Sequence, residues 1–161
     1  MLAMAMLAFS LTSPAFQDGA AIPRAHAHSR GTCGGENVSL PLRWANAPHG
    51  TRSFVLTIVD PDAHVQGGWV HWVAYDIAGE TRALAAGEQP RHEGVTSFGT
   101  PGYGGPCPPV GDPAHHYHIT LYALDVDRLG VGARPSYAGV VAAMRGHVLG
   151  QAELIGLYQR K

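Results

Sequence analysis

Short apolar runs, each ended by proline, glycine, asparagine or aspartate, constrain the fold of this chain more than any other feature. The runs are rich in β-branched and aromatic residues and have the length of strands rather than helices. They cover Leu40–Trp44, Ser53–Val59, Trp69–Ile77, His118–Leu124 and Leu154–Tyr158. With 21 glycines and 12 prolines in 161 residues, the chain favours many turns over long helices. We therefore expect a mainly β protein whose consecutive strands are mostly antiparallel.

One helix is expected, over Ser136–Val148, because the apolar residues there recur at spacings of three and four. Ser136 follows Pro135 and has a side chain that caps a helix N-terminus well. The apolar positions are Tyr137, Val140, Val141, Met144 and Val148. We expect them to form one face that packs against a sheet.

Residues 10–161 are expected to form a single domain, because no repeat or low-complexity linker divides them and this length supports one core. Residues 1–9 are apolar and resemble the centre of a secretory signal, but no basic residues precede them. We interpret them as a truncated signal or a disordered N-terminus. The compartment stays open, with the periplasm or secretion favoured over the cytoplasm.

The distribution of charged and apolar residues argues against nucleic-acid binding and against a transmembrane segment. The net charge is −1, and the ten arginines and the single lysine, Lys161, form no cluster that follows a phosphate backbone. No apolar run reaches the roughly 18–20 residues that cross a bilayer. Neither nucleic acid nor a transmembrane segment is therefore expected.

The two cysteines, Cys33 and Cys107, are too few for a disulfide framework and lack the spacing of a zinc or redox motif. One disulfide between them and two free thiols both stay open, because the sequence does not give the distance between the two residues.

Two carboxylates, Asp60 and Asp62, directly follow an apolar strand and are separated by one proline. Alternate residues of an extended segment share a face, so both carboxylates can serve one site. Asp-Pro-Asp is also common in turns, and a turn is the simpler interpretation. His71 favours a site, because a histidine between Trp69 and Trp72 is expected to be half-buried and to need a polar partner. Asp60 is the expected partner.

The segment Gly102–Gly111 is rich in glycine and proline and lies among roughly 40 residues that separate two predicted strands. Long ordered loops of this kind often carry binding residues. Backbone N–H groups that no side chain covers can approach a phosphate or sulfate closely, so this loop is expected to cradle an anion. A proline-stiffened surface loop is the alternative.

Histidines are concentrated in and beside these segments. Five of the ten are found there: His64, His71, His115, His116 and His118. Because side chains alternate along a strand, His115 and Tyr117 share one face. We therefore expect His115 in a pocket, and His116 and His118 at the surface or in support.

Three kinds of site compete for these residues. A zinc hydrolase needs three ligands and an open position; Asp60, His71 and His115 are suitable, but no His-Glu-x-x-His spacing supports it. A serine or cysteine hydrolase lacks support, because no Gly-x-Ser-x-Gly elbow occurs and Cys107 sits between prolines. An anion site needs N–H donors, imidazoles and a hydroxyl, all of which are present. The carboxylates are then expected to favour protonated imidazoles.

Several segments in order resemble the phosphatidylethanolamine-binding protein family, in its bacterial Raf-kinase-inhibitor-like branch. The central segments are Asp60-Pro61-Asp62-Ala63, His71-Trp72, Gly104-Gly105-Pro106-Cys107-Pro108-Pro109 and His115-His116-Tyr117. The likeness extends to LTSPAFQDGAAIP near the N-terminus, to Cys33–Trp44 and to Met144–Arg160, so that it spans residues 10–161.

The resemblance implies a mainly β fold of two antiparallel sheets with Greek-key links and one or two peripheral helices. It also implies a small surface pocket that takes anions such as phosphate, acetate or a phosphoethanolamine head group. The ligand-binding residues carried over by position are Asp60, Asp62, His71, Tyr103, Gly105, Pro106, His115 and Tyr117. The inner set is Asp60, His71, His115 and Tyr117, with Asp62 behind it and Tyr103–Pro106 as the lip.

The expected partner is therefore a small anion or phosphorylated ligand, with neither a cofactor, a bound metal nor catalysis. The alternative is a protein-binding module whose loop Tyr103–Pro109 inhibits a kinase or serine protease, and a metal-dependent hydrolase is the third. The family often has proline where this chain has His64, so the rim of the pocket is expected to differ. The segment His64–Gly68 is short, as in the bacterial branch, and features of longer eukaryotic loops do not transfer.

Overall fold

A computed structural model describes residues 7–161; residues 1–6, which hold most of the signal-like stretch, lie outside the described part. The strands are β1 (Ser10–Thr12), β2 (Leu42–Ala45), β3 (Ser53–Asp60), β4 (Trp69–Ala78), β5 (Ala83–Leu84), β6 (His115–Leu124) and β7 (Val148–Tyr158). The helices are α1 (Tyr137–Met144) and a 3-10 helix over Arg24–His26. Within residues 7–161, neither helix has the length and apolar character needed to traverse a bilayer.

The strands form two antiparallel sheets. One sheet has three strands in the order β1-β2-β5, and the other has four in the order β4-β3-β6-β7. The prediction of a mainly β, antiparallel fold with a small helical component is confirmed. The strand order places β3 and β6 in the centre of the larger sheet, where both edges of each strand are hydrogen-bonded.

Both faces of the larger sheet are covered, which explains why its central strand is a continuous apolar run rather than an alternating one. On one face, Phe54 and Leu56 of β3 belong to a core shared with Leu42 of the smaller sheet. On the opposite face, Val55 packs in a second core with Val140 of α1. The helix therefore covers the outer face of the sheet, as the apolar pattern of its sequence predicts.

The boundaries of the predicted strands differ from the observed ones by at most two residues, except at the starts of two strands. β6 begins at His115 rather than His118, and β7 begins at Val148 rather than Leu154. The two strands pair along almost their whole length, from His115 opposite Tyr158 to Leu124 opposite Val148. Backbone pairing thus extends both strands beyond their apolar residues, into stretches whose side chains alone do not indicate a strand.

The helix is shorter than predicted, although its start is confirmed. The Ser136 hydroxyl accepts a hydrogen bond from the Gly139 N–H at 3.0 Å and caps the N-terminus. The helix ends at Met144 rather than Val148. Gly146 has a φ of 81°, a left-handed conformation that ends a helix, and Val148 already pairs in β7.

The long segment between β4 and β6 is held by bridges and by one covalent bond. Val95 bridges to Pro101 and to Ser136. Cys107 forms a disulfide with Cys33, and their Cα atoms are 5.4 Å apart. The disulfide is one of the two states that the sequence leaves open, and it ties this segment to the chain that follows the 3-10 helix.

At one end of the larger sheet, the strand register brings together the end of β3 and the beginnings of β4 and β6. β3 ends at Asp60, which pairs with Trp69 at the start of β4. On its other side, Val59 pairs with His118 near the start of β6. Because β3 runs antiparallel to both neighbours, its end lies beside both of their beginnings. The acidic motif and the two histidine segments, far apart in the sequence, therefore meet here.

Candidate functional site

A cavity of about 270 Å³ opens at this end of the sheet. Four buried polar residues line it, and we call them the floor: Asp60, His71, His115 and Tyr117. Aromatic and proline side chains form what we call the walls: Trp69, Phe98, Pro108 and Pro109. The combination of apolar walls and a few convergent polar groups is typical of a site for a small molecule.

The floor unites the four residues that the sequence assigns to an inner set. The other four predicted ligand-binding residues, Asp62, Tyr103, Gly105 and Pro106, do not line the cavity. The predicted alternation along β6 is confirmed, since His115 and Tyr117 are buried while the His116 side chain is 53% exposed.

His115 lies between two carboxylates. Its Nδ1 is 2.7 Å from Asp60 Oδ2, and its Nε2 is 3.1 Å from Asp112 Oδ2. Burial lowers the pKa of His115, but the hydrogen bonds with Asp60 and Asp112 outweigh burial, and the net shift is upward. The imidazolium form is therefore favoured, and both of its N–H groups are already engaged by carboxylates.

His71 differs from the sequence prediction in both its partner and its charge. It is buried, not half-buried, and its Nδ1 donates to the Gly104 carbonyl at 2.6 Å rather than to Asp60. Burial lowers the pKa of His71 to about 4, despite the opposing effects of the Gly104 carbonyl and Asp60. The ring is therefore neutral at pH 7. Because Nδ1 carries the proton, Nε2 is a hydrogen-bond acceptor.

The Tyr117 hydroxyl is buried and lies near the Asp60 carboxylate, but among residues 7–161 no acceptor meets it with normal hydrogen-bond distance and angle. The ring packs edge-on against the imidazole of His71, with the centroids 5.1 Å apart. Burial and the nearby Asp60 carboxylate raise the pKa of Tyr117 above its ordinary value, so the hydroxyl keeps its proton. A buried donor without an acceptor costs roughly 1–3 kcal/mol. The cavity therefore contains a donor that a ligand oxygen can satisfy.

A second polar group, which we call the mouth cluster, lies beside the opening and consists of His64, Asp112 and His115. Asp112 Oδ2 is 2.8 Å from His64 Nε2 and 3.1 Å from His115 Nε2. These two hydrogen bonds hold the pKa of Asp112 below its ordinary value. The His64 side chain is 73% exposed, whereas that of His115 is 5% exposed. The cluster thus extends from the exposed His64 to His115, which is buried in the floor.

The mouth cluster also corrects the zinc ligands suggested by the sequence. In the described part of the chain, the triad Asp60, His71 and His115 is not a group whose ligand atoms converge. Among residues 7–161, His64, Asp112 and His115 are the three whose ligand atoms lie within 4.8 Å of one another.

Asp62 lies behind the floor and faces His116. Its Oδ2 accepts from His116 Nδ1 at 2.7 Å and from the His116 backbone N–H at 2.8 Å. These hydrogen bonds lower the pKa of Asp62. The backbone N–H of Asp62 donates to Asp60 Oδ1 at 2.9 Å. Asp62 therefore contributes to the orientation of Asp60 through its backbone, while its carboxylate pairs with a surface histidine.

The expectation that glycine N–H groups of Gly102–Gly111 cradle an anion is wrong for two central positions. The Gly104 N–H donates to the His71 carbonyl at 2.9 Å, and the Gly105 N–H donates to Asn37 Oδ1 at 2.8 Å. Both donors are used to hold the loop against the rest of the protein. The loop shapes the cavity but does not offer these groups to a ligand.

The other residues of the lip, Tyr103–Pro106, are also bonded inward. The Tyr103 hydroxyl donates to the His26 carbonyl at 2.7 Å, and the Pro106 carbonyl accepts from the His28 N–H at 3.0 Å. A Cβ on Gly105 would lie 2.1 Å from the His26 carbonyl oxygen, so only glycine allows this approach. The lip is therefore anchored to the segment after the 3-10 helix.

Some cavity residues are not singled out by the sequence motifs. Phe98 packs on the rings of Trp69 and His71, with centroid distances of 5.3 and 5.5 Å, but no local pattern marks it. Asp112 carries a usable signal, because it stands three residues before His115 in a histidine-rich run. His64 is noted in the sequence as one of the clustered histidines and as a departure from the family but is not assigned to the site, and in the structure it lines the cavity.

Comparison with known proteins assigns this chain to one family. The family model described as "Phosphatidylethanolamine-binding protein" matches residues 12–159. The chain is 41% identical over 155 residues to a UPF0098 protein of Aquifex aeolicus, covering 92% of this chain and 86% of that protein. It is 33% identical over 163 residues to the UPF0098 protein YbcL of Escherichia coli, covering 96% and 89%.

Solved structures agree with these matches. The crystal structure of Escherichia coli YbcL, described as a new member of the mammalian PEBP family, has a TM-score of 0.89 at 33% identity, covering 95% of this chain and 99% of that chain. The structure of CT736 from Chlamydia trachomatis has a TM-score of 0.86 at 35% identity, covering 96% and 99%.

The chain therefore belongs to the phosphatidylethanolamine-binding protein family, as the resemblance of its motifs predicts. Within the family it falls in the bacterial, Raf-kinase-inhibitor-like branch of UPF0098 proteins that includes YbhB and YbcL of Escherichia coli. The names of these UPF0098 relatives state neither a ligand nor a reaction.

Proposed function

We propose that this protein is a non-enzymatic binding protein whose cavity takes a small phosphorylated ligand of the phosphoethanolamine type. The observation that carries the proposal is the buried Tyr117 hydroxyl, which has no hydrogen-bond partner in the described chain. Folding leaves this donor unsatisfied at the floor of a cavity of about 270 Å³. A ligand oxygen that accepts its hydrogen bond removes the cost.

The mouth cluster supports an anionic group on the ligand. Two imidazole nitrogens, of His64 and His115, already converge on one negatively charged oxygen, Asp112 Oδ2. A phosphate oxygen that takes the place of this carboxylate oxygen meets the same two nitrogens. Charge-assisted hydrogen bonds of this kind are stronger than those between neutral groups.

The charge balance of the floor favours a ligand that also carries an amine. Asp60 and Asp112 flank His115, whose pKa their hydrogen bonds raise, and His71 is neutral, so the cationic charge expected from the sequence is not in excess. An ammonium group finds a carboxylate, the Nε2 acceptor of His71 and aromatic rings, which attract cations. A zwitterion therefore fits the site better than a bare phosphate.

Imidazole NMR signals test the proposal. We expect the side-chain signals of His71 and His115 to shift on titration with phosphoethanolamine, and to shift less with inorganic phosphate or acetate at equal concentration. His118, which pairs with Glu153 at 3.2 Å outside the cavity, is the control. An absence of any shift up to millimolar phosphoethanolamine would show that the cavity is not a site for this class of ligand.

The alternative of a kinase or protease inhibitor that docks through Tyr103–Pro109 has less support. The Tyr103 hydroxyl and the Gly105 N–H are bonded inside the molecule, so they are not presented to a partner. The aromatic ring of Tyr103 likewise packs edge-on against Trp72, with the centroids 5.4 Å apart. No specific feature of this loop favours docking over its structural role.

A further inference from the structure

We propose that the mouth cluster, His64, Asp112 and His115, is a binding site for one divalent transition-metal ion such as Zn²⁺ or Co²⁺. This inference differs from the sequence prediction, which expects no metal, and it does not depend on the phosphorylated ligand. It rests on three converging ligand atoms, on a buried carboxylate behind one of them and on an open side that faces the cavity.

The three ligand atoms have the chemistry and spacing that such an ion requires. Two imidazole Nε2 atoms and Asp112 Oδ2 lie within 4.8 Å of one another. The carboxylate oxygen is 2.8 Å from His64 Nε2 and 3.1 Å from His115 Nε2. Ligand atoms on one tetrahedral zinc ion lie roughly 3.3 Å apart, so small rotations of these side chains admit the ion.

Asp60 supplies the support that a metal-bound histidine usually has. Its Oδ2 accepts from His115 Nδ1 at 2.7 Å, and both side chains are about 5% exposed or less. This hydrogen bond fixes the ring with Nε2 directed at Asp112, and an ion that binds Nε2 displaces the proton shared with that carboxylate. Carboxylate–histidine–metal arrangements of this kind orient the ligand and raise its basicity.

The cluster leaves coordination positions free on the side of the cavity. His64 and His115 both line the cavity, so an ion held between them is open towards it. Tyr117 lines the same cavity, and its buried hydroxyl has no partner at normal hydrogen-bond geometry among residues 7–161. Three protein ligands with an open position match an ion that also carries water or an oxygen of a small ligand.

His64 is the exposed ligand of the cluster, with a side chain that is 73% exposed, so it can be substituted without disturbing the core. A second surface pair, His116 with Asp62 at 2.7 Å, has the same chemistry but lacks a third ligand. It therefore provides a matched control for any general attraction of histidine to metals.

Cobalt titration tests this inference. The protein is prepared without a histidine tag, stripped with a chelator, and titrated with Co²⁺ in the absence of any phosphorylated compound, with visible absorption as the readout. We expect one Co²⁺ per chain, displaced by one Zn²⁺. His64→Ala and Asp112→Asn are each expected to weaken binding at least about tenfold, and His116→Ala to leave it unchanged.

Two results would overturn the inference. One is the absence of cobalt absorption and of zinc binding at millimolar metal in the folded wild-type protein. The other is binding that His64→Ala does not weaken, or that His116→Ala weakens equally. Because His64 is exposed, its substitution leaves the core intact, and circular dichroism verifies the fold of each variant. Ligand titration of the same variants, without metal, separates failure of this site from failure of the proposed function.

Discussion

The lip and the floor both come from the family motifs, but their two tyrosines differ in how the folded chain satisfies the hydroxyl group. Tyr103 in the lip and Tyr117 in the floor are tyrosines of the same core. The Tyr103 hydroxyl donates to the His26 carbonyl, whereas the Tyr117 hydroxyl has no partner among residues 7–161. The comparison shows that the folded chain satisfies the hydroxyl of one motif tyrosine and leaves that of the other without a partner at normal hydrogen-bond geometry.

Among substitutions in the two regions, Gly105→Ala in the lip is expected to lower the free energy of unfolding the most. Gly105→Ala places a Cβ 2.1 Å from the His26 carbonyl oxygen and within 2.7 Å of the His28 backbone nitrogen. Because both neighbours are backbone atoms, the lip has to move, and we expect a loss of at least about 4 kcal/mol in the free energy of unfolding. Chemical denaturation measures it.

The control for this substitution is Gly132→Ala. A Cβ at Gly132 meets nothing within 4 Å, so the change in stability is expected to stay within about 0.5 kcal/mol. If Gly105→Ala were tolerated equally well, the lip would not be the tightly packed structural element described above.

The second-largest effect is a loss of stability at acidic pH, and it is caused by His71 in the floor. The pKa of His71 is about 4 in the folded protein and about 6.5 in the unfolded chain. The His71 ring is neutral in both the folded and the unfolded state above pH 6.5, so its titration does not reduce the free energy of unfolding there. As the pH falls from 6.5 to 4, the unfolded chain takes up the proton first, and roughly 3 kcal/mol is lost.

Denaturation of the wild type and of His71→Asn at several pH values between 7.5 and 4 measures this effect. Asparagine can still donate to the Gly104 carbonyl but does not titrate. We expect the variant to lack most of the dependence on pH in this window. An equal pH dependence in both proteins would show that His71 is not the buried neutral group that links folding to protons.

The two tyrosines are expected to respond to the same substitution with opposite signs. Tyr103→Phe removes a satisfied hydrogen bond and lowers the free energy of unfolding by about 1 kcal/mol. Tyr117→Phe removes a buried hydroxyl that has no partner and raises it by about 1 kcal/mol. Urea denaturation of both variants, without ligand, is the measurement. A loss of stability in both would mean that Tyr117 has a partner in the protein.

Much of the fold follows from the sequence because its central strands are dense apolar runs. Ser53–Val59 and Trp69–Ile77 are extended by only one residue each, as β3 and β4. The early start of β7 is not readable in the same way, because Val148–Glu153 becomes a strand through backbone pairing with β6. The end of α1 is set by the conformation of Gly146, against an apolar pattern that continues to Val148.

The floor could be predicted because strand alternation fixes which residues of a motif share a face. The pairing within the floor could not, since several polar partners lie close together there and only the folded geometry selects among them. The sequence pairs Asp60 with His71, but Asp60 bonds to His115, and His71 bonds to a carbonyl. Asp112 joins the site only through the fold of a long loop.

The affinity of the protein for phosphoethanolamine in three forms, wild type, Tyr117→Phe and Tyr103→Phe, tests the assignment of the floor most directly. A hydrogen bond to a charged phosphate is worth about 1.5 kcal/mol or more, so Tyr117→Phe is expected to weaken binding about tenfold. Tyr103→Phe is expected to leave the affinity within about twofold. Equal affinity of all three forms, or a larger loss in Tyr103→Phe, would contradict the assignment of the floor as the ligand site.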